Sequence, residues 1–314
     1  MSKNIFLFPG QSSWHEAMFD ELRLLDHRLT EDILQTAASI LGFSIEPSRE
    51  KNVGRNLAIQ TSIFTANHIY LELLKNTGVK AQASAGLSLG EYSHLLHIGA
   101  ISFEQGLLLV KKRGEIYDAA PPGAMAALYP ITENELLSLI AELNERKKCI
   151  AISNYNSPSQ FVVAGKRDTV DEIINLADEH YFCNGVVIEP YIAMHSFLFQ
   201  PVSAQFRAVL NKVEWSQPVI PYIPNVEGAP LTEVTPGTLS DCLARHVSEP
   251  VQWSKTIEHF YQEDPETRFI EVGPKTVVHD LLTPKWRRFK RYATASRTEN
   301  TVSHFNEVVN ELRY

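Results

Sequence analysis

The spacing of apolar positions along the chain changes repeatedly, and each change marks an element. Ile5 to Phe8 is a short apolar run closed by Pro9-Gly10-Gln11, which predicts a buried strand entering a loop. From Leu57 to Asn76, apolar residues recur at Ile59, Ile63, Ala66, Ile69, Leu71 and Leu74, the spacing of a helix. Val79 to Ala85 predicts a strand of mostly small residues. It runs into the turn Gly86-Leu87-Ser88-Leu89-Gly90, and Glu91 to Leu96 predicts a helix. Ser102 followed by Gln105 has the form of a capping box, opening a helix that reaches about Tyr117 before Pro121-Pro122-Gly123 breaks it.

The pattern then takes on a unit of its own. Ala124 to Tyr129 predicts a strand and Thr132 to Glu145 a helix. Cys149 to Ser153 and Phe161 to Ala164 predict two strands, joined by the turn-rich Asn154-Tyr155-Asn156-Ser157-Pro158-Ser159. Asp168 to Asp178 predicts a second helix and Val186 to Pro190 a last strand. This β-α-β-β-α-β order is that of a ferredoxin-like unit. Beyond Ala193 the earlier pattern resumes, with strands predicted at Ile220–Ile223 and Arg268–Glu271 and a helix at Thr276–Leu282. The expectation is an α/β fold: an α/β-hydrolase-like large domain, residues 1–122 and 192–314, with a ferredoxin-like small domain inserted at 123–191.

Composition narrows the function. The 314 residues are 44% hydrophobic, enough for a large core, and the net charge of −8 argues against nonspecific nucleic-acid binding. The three cysteines, Cys149, Cys183 and Cys242, form no CxxC pair or metal spacing, so they read as reduced structural thiols. The apolar N-terminal run is too short for a signal peptide, and no run of about 18 apolar residues is present for a membrane span. A soluble, cytoplasmic protein is expected, with no membrane or nucleic-acid partner.

The candidate chemistry starts at Gly86–Gly90. A G-x-S-x-G turn between strand and helix throws its serine hydroxyl out above the sheet and aims the following N–H, here Leu89, at the same space. The pentapeptide alone is equally compatible with an ordinary strand-to-helix turn. A serine nucleophile needs a base. Of eleven histidines, His195 stands at the return from the small domain, where clefts form; the plain alternative is a hydrogen-bonded junction residue. Asp168 and Asp178 precede it in the order a triad acid would take, but both fall on the small-domain helix and make poor candidates. Arg113 lies among Leu109, Val110, Ile116 and Tyr117 on an apolar helix face. A guanidinium there needs an anion, either a structural carboxylate or the carboxylate of a ligand.

Taken together, these residues resemble the malonyl-CoA:acyl-carrier-protein transacylase family over nearly the whole chain. Phe8-Pro9-Gly10-Gln11 is similar to its N-terminal loop, Gln60 opens a Gln-centred motif, and Gly86 to Glu91 is similar to its nucleophile motif. Lys112-Arg113-Gly114, Asn154-Tyr155-Asn156-Ser157-Pro158 and Ala193-Met194-His195-Ser196 resemble its arginine, small-domain and base motifs. Pro224-Asn225-Val226 and Pro250-Val251-Gln252-Trp253 resemble two later landmarks. The resemblance implies ping-pong transfer from acyl-CoA, through a Ser88 ester, to the phosphopantetheine thiol of an acyl carrier protein, by a monomer without metal or cofactor of its own. In it His195 is the base, the backbone N–H groups of Gln11 and Leu89 hold the oxyanion, and the His246 backbone carbonyl orients the base. Arg113 grips the malonyl carboxylate, and Gln60, Leu87, Met194, Asn156 and Asn225 line the substrate.

Three positions depart from the family pattern. His246 stands where Gln or Asn is usual, which leaves a carbonyl role intact. Leu87 replaces a common His, and Met194 a common Phe; both bear on which acyl group is held, malonyl or a substituted malonyl. Two rival functions are an acyl hydrolase that clears stalled chains, in which the arginine tends to be absent, and a non-catalytic docking protein. The basic run Lys285-Trp286-Arg287-Arg288-Phe289-Lys290-Arg291 is either a steering patch for CoA or an acidic carrier protein, or a solvated face.

Overall fold

The computed structural model describes residues 3–46, 54–264, 266–282, 289–298 and 300–313. In chain order its elements are β1 (Asn4–Phe8), α1 (Met18–Leu25), α2 (His27–Leu41), α3 (Arg55–Asn76), β2 (Ala83–Gly86), α4 (Gly90–His97), α5 (Phe103–Asp118), β3 (Ala124–Tyr129), α6 (Glu133–Glu145), β4 (Ile150–Ser157), β5 (Gln160–Gly165), α7 (Arg167–Tyr181), β6 (Asn184–Glu189), α8 (Gln200–Leu210), α9 (Pro236–Ser248), α10 (Trp253–Glu263), β7 (Arg268–Glu271), α11 (Val277–Leu281), β8 (Lys290–Ala293) and α12 (Thr301–Arg313).

The continuous apolar run of β1 is explained by burial on both faces. It pairs in parallel with β2 on one side and β7 on the other, in a sheet ordered β2-β1-β7-β8. Successive side chains alternate between two cores: Phe6 and Phe8 join Ile63, Ile69, Leu95 and Val110 from the helices on one face. Ile5 and Leu7 join Trp253, Ile257 and Phe260 of α10 on the other. The long α3 is buried nearly all round, which brings polar Gln60 and Asn67 into the interior.

The second sheet is antiparallel and ordered β4-β5-β3-β6, the ferredoxin-like arrangement expected. Ala124, Ala126 and Leu128 of β3 face a core with Leu136, Leu139, Val170 and Ile173 of α6 and α7. Met125 and Ala127 face the other way. The second sheet is tied to the segment before α10, where Tyr155 N–H donates to the Val251 carbonyl at 2.9 Å and Val251 N–H donates to that of Ser153 at 2.8 Å.

Three expectations need correcting. Ile220–Ile223 is not a strand: Tyr222 and Ile223 are buried, but they bond to α4 side chains rather than to a ladder. Val79–Gln82 precedes the strand, because Val79 N–H closes the end of α3 on Leu74 and pairing with β1 begins at Ala83. Asn154–Ser157 continues β4 instead of forming a loop, held by Phe161 and Gln160 on one side and Val251 on the other, with register shifts that absorb the turn-prone residues.

Candidate active site

The Gly86–Gly90 turn joins β2 to α4, and Ser88 at its tip has φ +53°, a left-handed backbone that a serine adopts only when its surroundings force it. The glycines are sterically required. A Cβ on Gly86 would lie 2.0 Å from the Gly90 carbonyl carbon, and one on Gly90 would lie 2.1 Å from the Phe8 oxygen. Leu89 opens α4, so its N–H is free of the helix ladder and available above the sheet. Asn225 braces the turn from below: its Oδ1 accepts from Ser88 N–H at 2.8 Å and its Nδ2 donates to the Gly86 carbonyl at 2.6 Å. Asn225, expected to bind substrate, is therefore committed at both ends of its amide to holding the elbow.

His195 also has a left-handed backbone, φ +56°, and its N–H donates to Val247 at 3.1 Å. Nε2 lies 2.8 Å from Ser88 Oγ, and Nδ1 lies 2.5 Å from the backbone oxygen of His246. A carbonyl only accepts, so Nδ1 carries the proton and Nε2 presents its lone pair to the serine. That is the tautomer a general base needs. Burial pushes the imidazole well below its ordinary pKa, and nearby His246 and Arg113 push it further down. The ring is thus neutral at physiological pH. Asp168 serves the start of α7, bonding the Thr169 N–H at 2.8 Å.

A cleft of about 340 Å³ opens onto Ser88 and His195. Gly10, Gln11, Leu87 and Met194 line it, together with Asn156 and the outward face of the second sheet at Met125, Ala127 and Val162. Arg113 is 1% exposed, and none of its three guanidinium nitrogens has a hydrogen-bond partner among the described residues. It lies over the Tyr117 ring at 4.1 Å and within 5.6 Å of Tyr92. Burial raises both phenols above their ordinary range, although the guanidinium pulls them back. Gln60 is fully buried with both amide atoms unpartnered among the described residues, and the antiparallel packing of α3 on α5 sets it beside the Arg113 end of α5.

Sequence reading missed several groups. Arg55 and Glu189 also line the cleft, paired at 2.7 Å, and Glu91 is buried behind the elbow. The first two belong to elements 134 positions apart, so no local spacing marks them. Glu91 had a visible signal, an acidic residue directly after the turn, but that reads as a complement to the helix dipole. Lys285–Arg288 of the basic run lie outside the described residues. Arg291 is engaged, donating to the Leu282 carbonyl at 2.7 Å. Among the described residues no group of three or more His, Cys, Asp or Glu is arranged to hold a metal ion, and no helix is long and apolar enough to cross a membrane.

The family model for the acyl transferase domain matches residues 5–306. The chain belongs to the acyl transferase family. It is 31% identical over 306 residues to the malonyl CoA-acyl carrier protein transacylase of Bacillus subtilis, covering 94% of each chain. It is 30% identical over 301 residues to the polyketide biosynthesis malonyl CoA-acyl carrier protein transacylase PksC of the same organism, covering 92% of this chain and 98% of that one. Among solved structures, FabD from Acinetobacter baumannii superposes with a TM-score of 0.89 at 26% identity, covering 99% of this chain and 98% of that one. This acyl transferase fold thus has the two-sheet α/β architecture read from the sequence.

Proposed function

We propose that this enzyme transfers a malonyl group from CoA to the phosphopantetheine thiol of an acyl carrier protein, through an ester on Ser88. His195 takes the Ser88 proton at Nε2 while the Ser88 oxygen attacks the thioester carbonyl. The Leu89 and Gln11 backbone N–H groups hold the oxyanion. His195 returns the proton to the departing CoA sulfur, leaving the acyl ester. The carrier thiol enters by the same steps in reverse order. Side chains, backbone and the two thioesters suffice for this chemistry. The same reading divides the chain at residues 123 and 191, with the small domain supplying the far wall of the cleft.

The observation that carries the choice of malonyl is Arg113: a buried cation near the base, with no hydrogen-bond partner for any of its nitrogens among the described residues. A structural carboxylate would have answered the cost of burying it, and none pairs with it among the described residues. A ligand carboxylate answers it instead, through two parallel hydrogen bonds. The names of the relatives support the same acyl group and the same acceptor. The test is to mix the protein with malonyl-CoA and with acetyl-CoA and follow the intact mass. The expected result is a stable malonyl adduct on Ser88, absent in Ser88→Ala and discharged by a carrier protein. Rapid hydrolysis of acetyl-CoA with no malonyl adduct would overturn the proposal.

A further inference from the structure

Glu91 is a carboxylic side chain with no solvent access, in the first turn of the helix that follows the nucleophile. Its two oxygens serve different halves of the site. Oε1 accepts from the Tyr222 hydroxyl at 2.5 Å and from the Asn225 N–H at 3.2 Å. Asn225 is the residue that braces Ser88. Oε2 lies 2.7 Å from Nδ1 of His246, a ring as deeply buried as the carboxylate. That is a close polar contact between two buried groups, and Oε2 has no hydrogen-bond partner among the described residues that would compete with it. The His246 ring then stacks on the His195 ring, with centroids 4.6 Å apart and planes within 13°.

We propose that Glu91 and His246 are a positioning pair for the nucleophile and base: one carboxylate registers Ser88 through Asn225, and His195 through the face of the His246 imidazole. The proposal rests on the acyl-transfer reading above. Its physical need is clear from the bonds His195 already makes. Its two ring nitrogens are held by in-plane hydrogen bonds on opposite sides, which leave the ring free to tilt about the line joining them. A flat neighbour blocks that tilt. The backbone carbonyl of residue 246 would survive any substitution there, but the flat surface and the link to Glu91 would not.

The variants are His246→Gln, which keeps the carbonyl and removes the ring, and Glu91→Gln, which keeps an acceptor for Asn225 and removes the charge. Two rates are read on the full chain: phosphonylation of Ser88 by a fluorophosphonate probe, which involves no acyl-CoA, and malonyl loading across a pH series. His246→Gln should slow both by about tenfold, in kcat rather than KM, as a sub-ångström loss of alignment would. It should also move the acid limb of kcat/KM to higher pH, because His246 no longer lowers the base. Glu91→Gln should slow phosphonylation alike; if it fails to fold, His246→Gln decides alone. Rates within about twofold of wild type, or a loss that is equal at every pH, would overturn the proposal and leave the ring as packing. Wild-type protein that is phosphonylated but takes no malonyl would overturn the acyl-transfer reading instead, while the phosphonylation comparison still decides the pair.

Discussion

Replacing Arg113 by Ala should separate recognition of the acyl group from the chemistry proposed for Ser88. On the proposed role, a malonyl carboxylate would meet a buried cation whose three nitrogens have no hydrogen-bond partner among the described residues. In Arg113→Ala the same carboxylate would be buried opposite the Tyr92 and Tyr117 phenols, with no countercharge. Removing one partner of a buried pair typically costs about 3–5 kcal/mol. At about 1.4 kcal/mol per decade, that is a hundred-fold to a few thousand-fold loss of kcat/KM for malonyl-CoA. Acetyl-CoA has no carboxylate to lose, so acetyl loading should hold or rise. The assay is stopped-flow loading of Ser88 read by intact-protein mass, with thermal unfolding to check that the fold is retained. Equal losses for the two thioesters would refute the argument, since a general defect in the nucleophile or base does not distinguish them.

Two further outcomes follow from the scaffold. His94 is buried, accepting the Ile223 N–H at Nε2 and donating from Nδ1 to Ser84, and burial lowers its pKa from 6.5 to about 3. The unfolded chain therefore takes up a proton below pH 6.5 that the folded chain refuses, so stability falls as pH drops, by about 2 kcal/mol at about pH 5. His94→Asn should be less stable at neutral pH yet lose about 2 kcal/mol less on acidification; equal urea-midpoint shifts for both proteins would refute this. Ser102 caps α5, accepting the Gln105 N–H at 3.1 Å while Gln105 Oε1 accepts the Ser102 N–H at 3.1 Å. Ser102→Ala should cost about 0.5–2 kcal/mol in chemical denaturation without changing Ser88 loading.

What could be read in the sequence was whatever depends on neighbours along the chain. The small domain's β-α-β-β-α-β order, the capping box at Ser102 and the glycines of the elbow are local patterns with local causes, and each stands in the fold. The failures come from pairings that the turn-prone side chains do not announce. Asn154–Ser157 carries turn-forming residues, but the hairpin with β5, and a bridge from Asn154 to Val251 nearly a hundred positions away, make it strand. Tyr222 and Ile223 have strand-like side chains, yet Glu91 and His94 take their polar groups first. Ser88, His195 and Arg113 were each ambiguous alone, and only their order along the chain singled them out. Glu91 and the Arg55–Glu189 pair have partners so distant that no spacing rule reaches them.

The short stretch from His246 to Gln252 carries more connections than its length suggests. It offers its first carbonyl to the His195 ring, its second to the His195 backbone, its Val251 peptide to β4 and its Gln252 N–H to Asn225. The position of β4, which carries part of the cleft wall, and the orientation of His195 are thereby tied to the same few peptides. Moving β4 outward to admit a bulkier acyl group should pull on the imidazole that faces Ser88. A lineage exploring new acyl groups on this scaffold has one affordable route, which is to trade side chains such as Leu87, Met125 and Met194 on an unmoving frame. Diversity among such proteins should therefore accumulate at those wall positions, while the 246–252 stretch keeps its length.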